Sequence, residues 1–106
     1  FVERTPFSFS VLIEPKDEIG KICKERNLIF HSDACQSFGK IPLSVRTTQV
    51  DMLTINAHKI YGPKGVGGLY IREGTPVAPQ LHGGGQEKGM RSSTENVPAV
   101  AAFAAA

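Results

Sequence analysis

Cysteine, net charge and long apolar runs are all scarce in this sequence of 106 residues. Its two cysteines, Cys23 and Cys35, have neither the spacing of a zinc site nor the number that a disulfide framework needs. A net charge of +2 is too small to predict binding to nucleic acid or to a membrane surface. No apolar run approaches the ~20 residues of a membrane-spanning helix and no signal peptide is visible. We therefore expect a cytoplasmic protein, or a mitochondrial one if its source is eukaryotic.

Two short apolar runs, at residues 28–32 and 52–55, predict buried strands. Asp33 follows the first run, and residues 56–59 follow the second. Open α/β sheets bind ligands outside the carboxyl ends of their strands. If the two strands are parallel neighbours, Asp33 and Lys59 emerge at one edge of the sheet.

The polar side chains after these strands match the needs of a pyridoxal phosphate ring. Such a cofactor forms a Schiff base with an amine, which Lys59 offers, and its ring nitrogen needs a carboxylate, which Asp33 offers. Gln36, one helical turn after Asp33, could hydrogen-bond the ring oxygen, and His58 could donate to the phosphate or to a nearby ring substituent. On spacing alone, a solvated Lys59 and an Asp33 that caps a helix form the competing interpretation.

Helix and strand signals alternate along the rest of the chain. Residues 65–72 predict a strand entered through glycines, and the alanine-rich segment from residue 99 favours a helix. Residues 15–26 predict an amphipathic helix whose apolar face would hold Ile19, Ile22 and Cys23. This alternation predicts an α/β fold with a mostly parallel sheet.

Two glycine-rich segments resemble a phosphate-binding loop and a metal site. Residues 62–68 are similar to a phosphate-binding loop, but they lack its Gly-Lys-Ser/Thr ending and lead into a strand. Residues 82–87 contain one histidine and one carboxylate without a third metal ligand. We therefore predict neither a nucleotide site nor a metal site here.

Residues 17–104 resemble the cysteine desulfurases, class V aminotransferase-like enzymes that include the NifS and IscS types and selenocysteine lyase. The match consists of six motifs in order. They are EIG at 18–20, HSDACQSFGK at 31–40, VD at 50–51, AHKIYGPKGVG at 57–67, HGGGQE at 82–87 and MRSSTEN at 90–96. The resemblance implies that the chain is part of the large domain of a fold type I enzyme dependent on pyridoxal 5'-phosphate.

The resemblance also implies a role for each matching site residue. Lys59 would hold the cofactor as a Schiff base, Asp33 would pair with the pyridine nitrogen, and Gln36 would bond the ring hydroxyl. His58 would contact the phosphate. Thr94 would reach the phosphate bound by the neighbouring subunit of a homodimer.

The implied reaction converts L-cysteine to L-alanine. The sulfur would leave as a persulfide on an enzyme cysteine that this chain does not carry, and would pass to acceptor or scaffold proteins for iron–sulfur cluster assembly or thiolation. Three alternatives stay open. The first is a selenocysteine lyase-like enzyme, the second is a non-catalytic binding or assembly piece, and the third is an incomplete product without a stable fold.

The chain departs from the family pattern at three places. Asn56 stands where the family usually has serine, although its amide could still donate to phosphate. Ser93 replaces a usual glycine, which makes a positive φ costly there. Residues 1–13 form a divergent stretch without the family's Asn-Asn-Glu motif. Because the family fold is several times longer than this chain, we expect residues 14–106 to be a partial cofactor-binding domain, truncated at both ends.

Overall fold

A computed structural model describes residues 6–10, as backbone, and residues 16–106. The elements run in the order β1 (Pro6–Ser10), α1 (Lys16–Glu25), β2 (Ile29–Asp33), β3 (Met52–Asn56), β4 (Gly67–Ile71) and α2 (Val97–Ala105), with a short 3₁₀ helix at Glu87–Gly89 before α2. The predicted helices and strands are therefore present, each within a few residues of its expected bounds. Within the part of the chain that the structure describes, no helix has the length and apolarity needed to cross a membrane.

The described strands form one mixed sheet in the order β1-β2-β3-β4. Strands β1, β2 and β3 are parallel, whereas β4 is antiparallel to β3. The prediction of a mostly parallel sheet is confirmed, and so is the prediction that the strands before Asp33 and Asn56 are parallel neighbours. The edge strand β1 lies inside the stretch predicted to be divergent; residues 1–5 and 11–13 of that stretch lie outside the described residues.

Helix α1 packs on one face of β2 through Ile19 and Cys23, which lie one turn apart. The predicted apolar face is wrong at Ile22, whose side chain is 50% exposed, because the sheet covers only the row of residues four apart. Asn27, two residues after the end of α1, adopts a φ of 55°. The N–H of Leu28 then donates to the carbonyl of Cys23 at 2.8 Å, which closes the helix and directs the chain into β2.

The hydrophobic core lies between α1 and the sheet, around Cys23, Phe30, Ala34, Val50 and Leu53. Alternate residues of a strand point to opposite faces of a sheet. Phe30 and Ser32 of β2 are buried, whereas His31 and Asp33 on the other face are half-buried. The polar face that carries Asp33 is thus the one away from α1.

The register between β2 and β3 is fixed by Asp51, just before β3. Its N–H donates to the carbonyl of Phe30 at 2.8 Å, and its Oδ2 accepts the N–H of Phe30 at 2.9 Å. The Arg72 guanidinium lies 3.7 Å from the Asp51 carboxylate and donates to the carbonyls of Val45 and Val50. This network aligns the two strands whose ends carry the candidate site.

Candidate functional site

Asp33 and Asn56, the last residues of β2 and β3, stand on the same face of the sheet. Asp33 is in register with Thr54, two residues before Asn56. The N–H of Ala34 donates to the carbonyl of Thr54 at 2.9 Å, so the strands stay paired one residue past β2. On the same face, two residues before Asp33, His31 Nε2 lies 2.8 Å from Thr54 Oγ1. A polar stripe therefore leads to the carboxyl ends of both strands.

The chain turns immediately after Asp33. The N–H of Cys35 donates to Asp33 Oδ1 at 2.9 Å, which is the hydrogen bond of an Asx turn. The N–H groups of Ser37 and Phe38 then donate to the carbonyl of Ala34 at 3.0 and 2.8 Å. The turn thereby fixes one carboxylate oxygen of Asp33 against its own backbone.

A second turn follows β3 and carries Lys59. Asn56 Oδ1 accepts the N–H of Lys59 at 3.3 Å, and the carbonyl of the buried Ala57 accepts the N–H groups of Ile60 and Gly62. Tyr61 closes the turn with a φ of 68°, a conformation that is uncommon for an aromatic residue. The Lys59 side chain is exposed at the end of the sheet.

The two turns pack against each other. A methyl group placed at Gly39, whose φ is 73°, would lie 2.9 Å from Cγ2 of Ile60. Phe38 also meets Phe103 of α2 edge to face, with ring centroids 6.2 Å apart. Because Ile60 follows Lys59 directly, the close approach at Gly39 couples the turn of Asp33 to the turn of Lys59.

The Cys35 thiol lies at the meeting point of these groups. Burial raises its pKa to about 11, aided by a hydrogen bond to the Asp33 carboxylate and by the charge of Asp33. A hydrogen bond from the Asn56 side chain and the positive charge of Lys59 act in the opposite direction. Together with the pairing of β2 with β3 and the hydrogen bond between Asn56 and Lys59, these effects place Asp33, Asn56 and the start of the Lys59 turn near one another at the carboxyl ends of the strands.

The other predicted site residues, Gln36, His58 and Thr94, are exposed. Gln36 and His58 are exposed in the two turns, next to Cys35 and Lys59, and Thr94 is exposed before α2. Among residues 16–106, no hydrogen bond or ion pair joins the side chains of these three residues to the cluster of Asp33, Cys35, Asn56 and Lys59. Their predicted roles stay predictions.

Hydrogen bonds within residues 85–93, before α2, hold this segment together. The N–H of Gly85 donates to Ser92 Oγ and the N–H of Ser93 donates to Gln86 Oε1, both at 3.2 Å. The residues with positive φ in this segment are glycines, Glu87 and Lys88, not Ser93. The cost expected from a positive φ at Ser93 does not arise in this conformation.

Two features of the site were not predicted from the sequence. One is the place of Cys35 beside the Asp33 carboxylate, although an aspartate two positions earlier is the usual signal of an Asx turn. The other is the role of Asp51, whose hydrogen bond to Phe30 spans 21 residues and leaves no local signal.

Comparisons with known proteins identify the family of this chain. The sequence profile of the family "Aminotransferase class-V" matches residues 10–106. The cysteine desulfurase IscS of Rickettsia prowazekii is 55% identical over 91 residues, which cover 84% of this chain and 22% of that protein. The chain thus spans about a fifth of the length of the curated relatives that it matches.

Solved structures share the fold. A structure described as SspA in complex with cysteine superposes with a TM-score of 0.90 at 35% identity and covers 95% of this chain and 31% of that one. A NifS-like protein from Rickettsia africae ESF-5 gives a TM-score of 0.89 at 39% identity and covers 94% of this chain and 29% of that one. With the family profile matching all but the first nine residues, this chain belongs to the aminotransferase class-V family and is similar to its cysteine desulfurases.

Proposed function

We propose that this chain is part of the cofactor-binding large domain of a pyridoxal-phosphate-dependent cysteine desulfurase. The observation that carries the proposal is that Asp33 and Lys59 follow the neighbouring parallel strands β2 and β3 at their carboxyl ends, where the charges of both side chains act on the Cys35 thiol. The names of the relatives and the cysteine held by a similar solved structure support the same substrate class.

The residues present fit pyridoxal phosphate. The ring nitrogen needs a carboxylate and the aldehyde needs a lysine, and both groups act on one thiol in this structure. Asp33 would hold the ring nitrogen and Lys59 would attach the aldehyde. The remaining contacts, to the ring hydroxyl and the phosphate, would come from Gln36, Asn56 and His58 and, across a homodimer, from Thr94.

The bound cofactor supplies an electron sink for the Cα–H bond of the substrate. Asp33 would keep a proton on the ring nitrogen through its charge. Lys59, once the substrate amine has displaced it, would take and return the proton at the Cα atom of L-cysteine. The products are L-alanine and a persulfide on a cysteine outside this chain, which would hand the sulfur to an acceptor protein.

Neither cysteine of this chain suits the role of sulfur acceptor. The nucleophile in sulfur transfer is a thiolate. The pKa of the Cys35 thiol is raised to about 11, and burial raises the pKa of Cys23 as well. Both thiols are therefore protonated near neutral pH, which supports an acceptor cysteine elsewhere in the intact enzyme.

The test is reductive trapping in the intact enzyme that contains this chain. Borohydride should fix the cofactor on the peptide that carries Lys59, and Lys59→Ala should abolish the label. Lys64→Ala is the matched control, since Lys64 is an exposed lysine five residues away that should keep the label on Lys59. A label on Lys40 or Lys64 in the wild-type enzyme would overturn the assignment.

A further inference from the structure

The glycine-rich segment of residues 81–93 folds back on itself before the chain reaches Thr94. The N–H of Ser92 donates to the carbonyl of Leu81 at 3.1 Å, and Ser92 Oγ accepts the N–H of Gly85 at 3.2 Å. These hydrogen bonds hold the start of the segment against its end. Thr94 therefore lies at the exit of a loop that its own hydrogen bonds close.

Gln86 supports the same loop with its side chain. Its Oε1 accepts the N–H of Ser93, the residue directly before Thr94, at 3.2 Å. Gln86 is half-buried, whereas the residues on both sides of it are exposed. A methyl group placed at Gly84 would lie 2.8 Å from Nε2 and 3.0 Å from Oε1 of Gln86. Glycine at this position therefore leaves room for the amide that holds Ser93.

The backbone of Gln86 anchors the tight turn that follows it. Glu87 and Lys88 adopt φ values of 50° and 56°. Residues with side chains persist in this left-handed region only where the surrounding structure holds them there. The N–H of Gly89 donates to the carbonyl of Gln86 at 2.9 Å, which closes the turn. Gln86 thus joins the turn, through its backbone, to Ser93, through its side chain.

We propose that Gln86 is a positioning residue that holds Thr94 in place to contact the cofactor phosphate. The inference rests on the proposed function for the role of Thr94, but not for the contact between Gln86 and Ser93. Thr94 is exposed, and ordering an exposed segment around a ligand costs conformational entropy. Because the hydrogen bond to Ser93 orders this backbone in advance, Gln86 raises the affinity for the phosphate without touching the cofactor.

The first experiment tests the contact in the cofactor-free intact enzyme. Hydrogen–deuterium exchange, resolved to the Ser93 amide by fragmentation, measures the protection of that N–H. Gln86→Leu removes the acceptor and should speed exchange by about 2- to 10-fold, as expected for the loss of one hydrogen bond. Gln86→Glu keeps an acceptor oxygen and should stay close to wild type. Gln80→Leu is the matched control, because the Gln80 amide donates to the carbonyl of Ala78. Unchanged exchange of Ser93 in Gln86→Leu would overturn the inference.

The second experiment separates positioning of Thr94 from a general stabilisation of the loop. The cofactor-free enzyme is titrated with pyridoxal 5'-phosphate and with pyridoxal, which lacks the phosphate. Gln86→Leu should weaken binding of pyridoxal 5'-phosphate severalfold and leave binding of pyridoxal unchanged, as Thr94→Ala should. Since Gln86 acts through Thr94, the double variant should bind no more weakly than Thr94→Ala alone. Equal losses for both ligands, or losses that add in the double variant, would contradict the positioning role.

Gly84→Ala disturbs the same contact by an independent route. The φ of Gly84 lies outside the left-handed region, so the added methyl group acts by displacing the Gln86 amide. This variant should reproduce the faster exchange of Ser93 and the loss that is specific to the phosphate. Gly89→Ala is its control, because it strains the same loop at a φ of 81° with no neighbour within 4 Å. Wild-type behaviour of Gly84→Ala, or a phosphate-specific loss of equal size in Gly89→Ala, would count against the inference.

Failure of the inference and failure of the proposed function give different results. If borohydride traps no cofactor on Lys59, the proposed function is wrong, and the role of Gln86 at the phosphate is wrong with it. If cofactor is trapped on Lys59 and Thr94→Ala loses affinity only for the phosphorylated ligand, the function stands. Gln86→Leu with wild-type affinity for both ligands would then refute the positioning role alone.

Discussion

Replacing Asp51 by alanine should loosen the pairing of β2 with β3, on which the site depends. The Asp51 side chain is 8% exposed, and the Phe30 N–H that it accepts belongs to a residue that is 1% exposed. A buried N–H left without an acceptor costs about 1–3 kcal/mol. That loss corresponds to roughly 5- to 150-fold faster exchange of the Phe30 amide.

The ion pair with Arg72 contributes less to this effect. Arg72 is 31% exposed and 3.7 Å from the carboxylate, so we expect about 0–1 kcal/mol from the pair. Arg72 also keeps its hydrogen bonds to the carbonyls of Val45 and Val50 when the carboxylate is removed. Asp51→Asn, which retains an oxygen that can accept the Phe30 N–H, should therefore cost less than Asp51→Ala.

Hydrogen–deuterium exchange of the peptide that covers β2 measures this difference. Asp51→Ala should raise its exchange rate, and Asp51→Asn should lie between Asp51→Ala and wild type. Glu73→Ala is the control, because it removes an exposed carboxylate from the turn after β4. Equal exchange of β2 in Asp51→Ala and in wild type would refute the assignment of register to this hydrogen bond.

Three further predictions concern the site itself. Gly39→Ala should lower the melting temperature and cofactor retention more than Gly74→Ala. Both residues have a positive φ, which costs roughly 1–2 kcal/mol for a residue with a side chain, but only Gly39 lies against Ile60. Equal losses in the two variants would show that the packing of the two turns is unimportant. Asp33→Ala should slow alanine formation from L-cysteine by orders of magnitude while circular dichroism stays close to wild type, and near-normal turnover would exclude its role at the ring nitrogen. Folding raises the pKa of Cys35 from 9.0 to about 11, so the stability that the protonated thiol contributes is present below pH 9 and is lost as the pH rises toward 11. Cys35→Ala should therefore reduce the fall of unfolding free energy with alkaline pH, measured by denaturant titration. An unchanged dependence of the unfolding free energy on pH would contradict the raised pKa.

The location of Asp33 and Lys59 at the carboxyl ends of two neighbouring strands could be predicted because it depends on local patterns. The apolar runs before Asp33 and Asn56 are short and bounded by polar residues, which is enough to predict strands and their carboxyl ends. Parallel pairing then brings the two ends to one edge of the sheet. The assignment of a cofactor to Asp33 and Lys59 needed the resemblance of the motifs as well, because single charged residues after strands are common.

The order of the strands, the exposure of Ile22 and the pKa of Cys35 were decided by contacts between different parts of the fold. Such contacts produce no periodic pattern in the sequence. The parallel pairing of β1 with β2 and the antiparallel pairing of β4 with β3 join residues far apart in the chain, such as Pro6 with Ile29 and Met52 with Ile71. The exposure of Ile22 depends on how much of α1 the sheet covers. The raised pKa of Cys35 arises from burial and from the Asp33 carboxylate, while Asn56 and Lys59, at the end of β3, act against it. By itself the sequence determined which groups stand at the ends of β2 and β3, whereas only the tertiary structure decided what surrounds them, since burial and charge act through space and not along the chain.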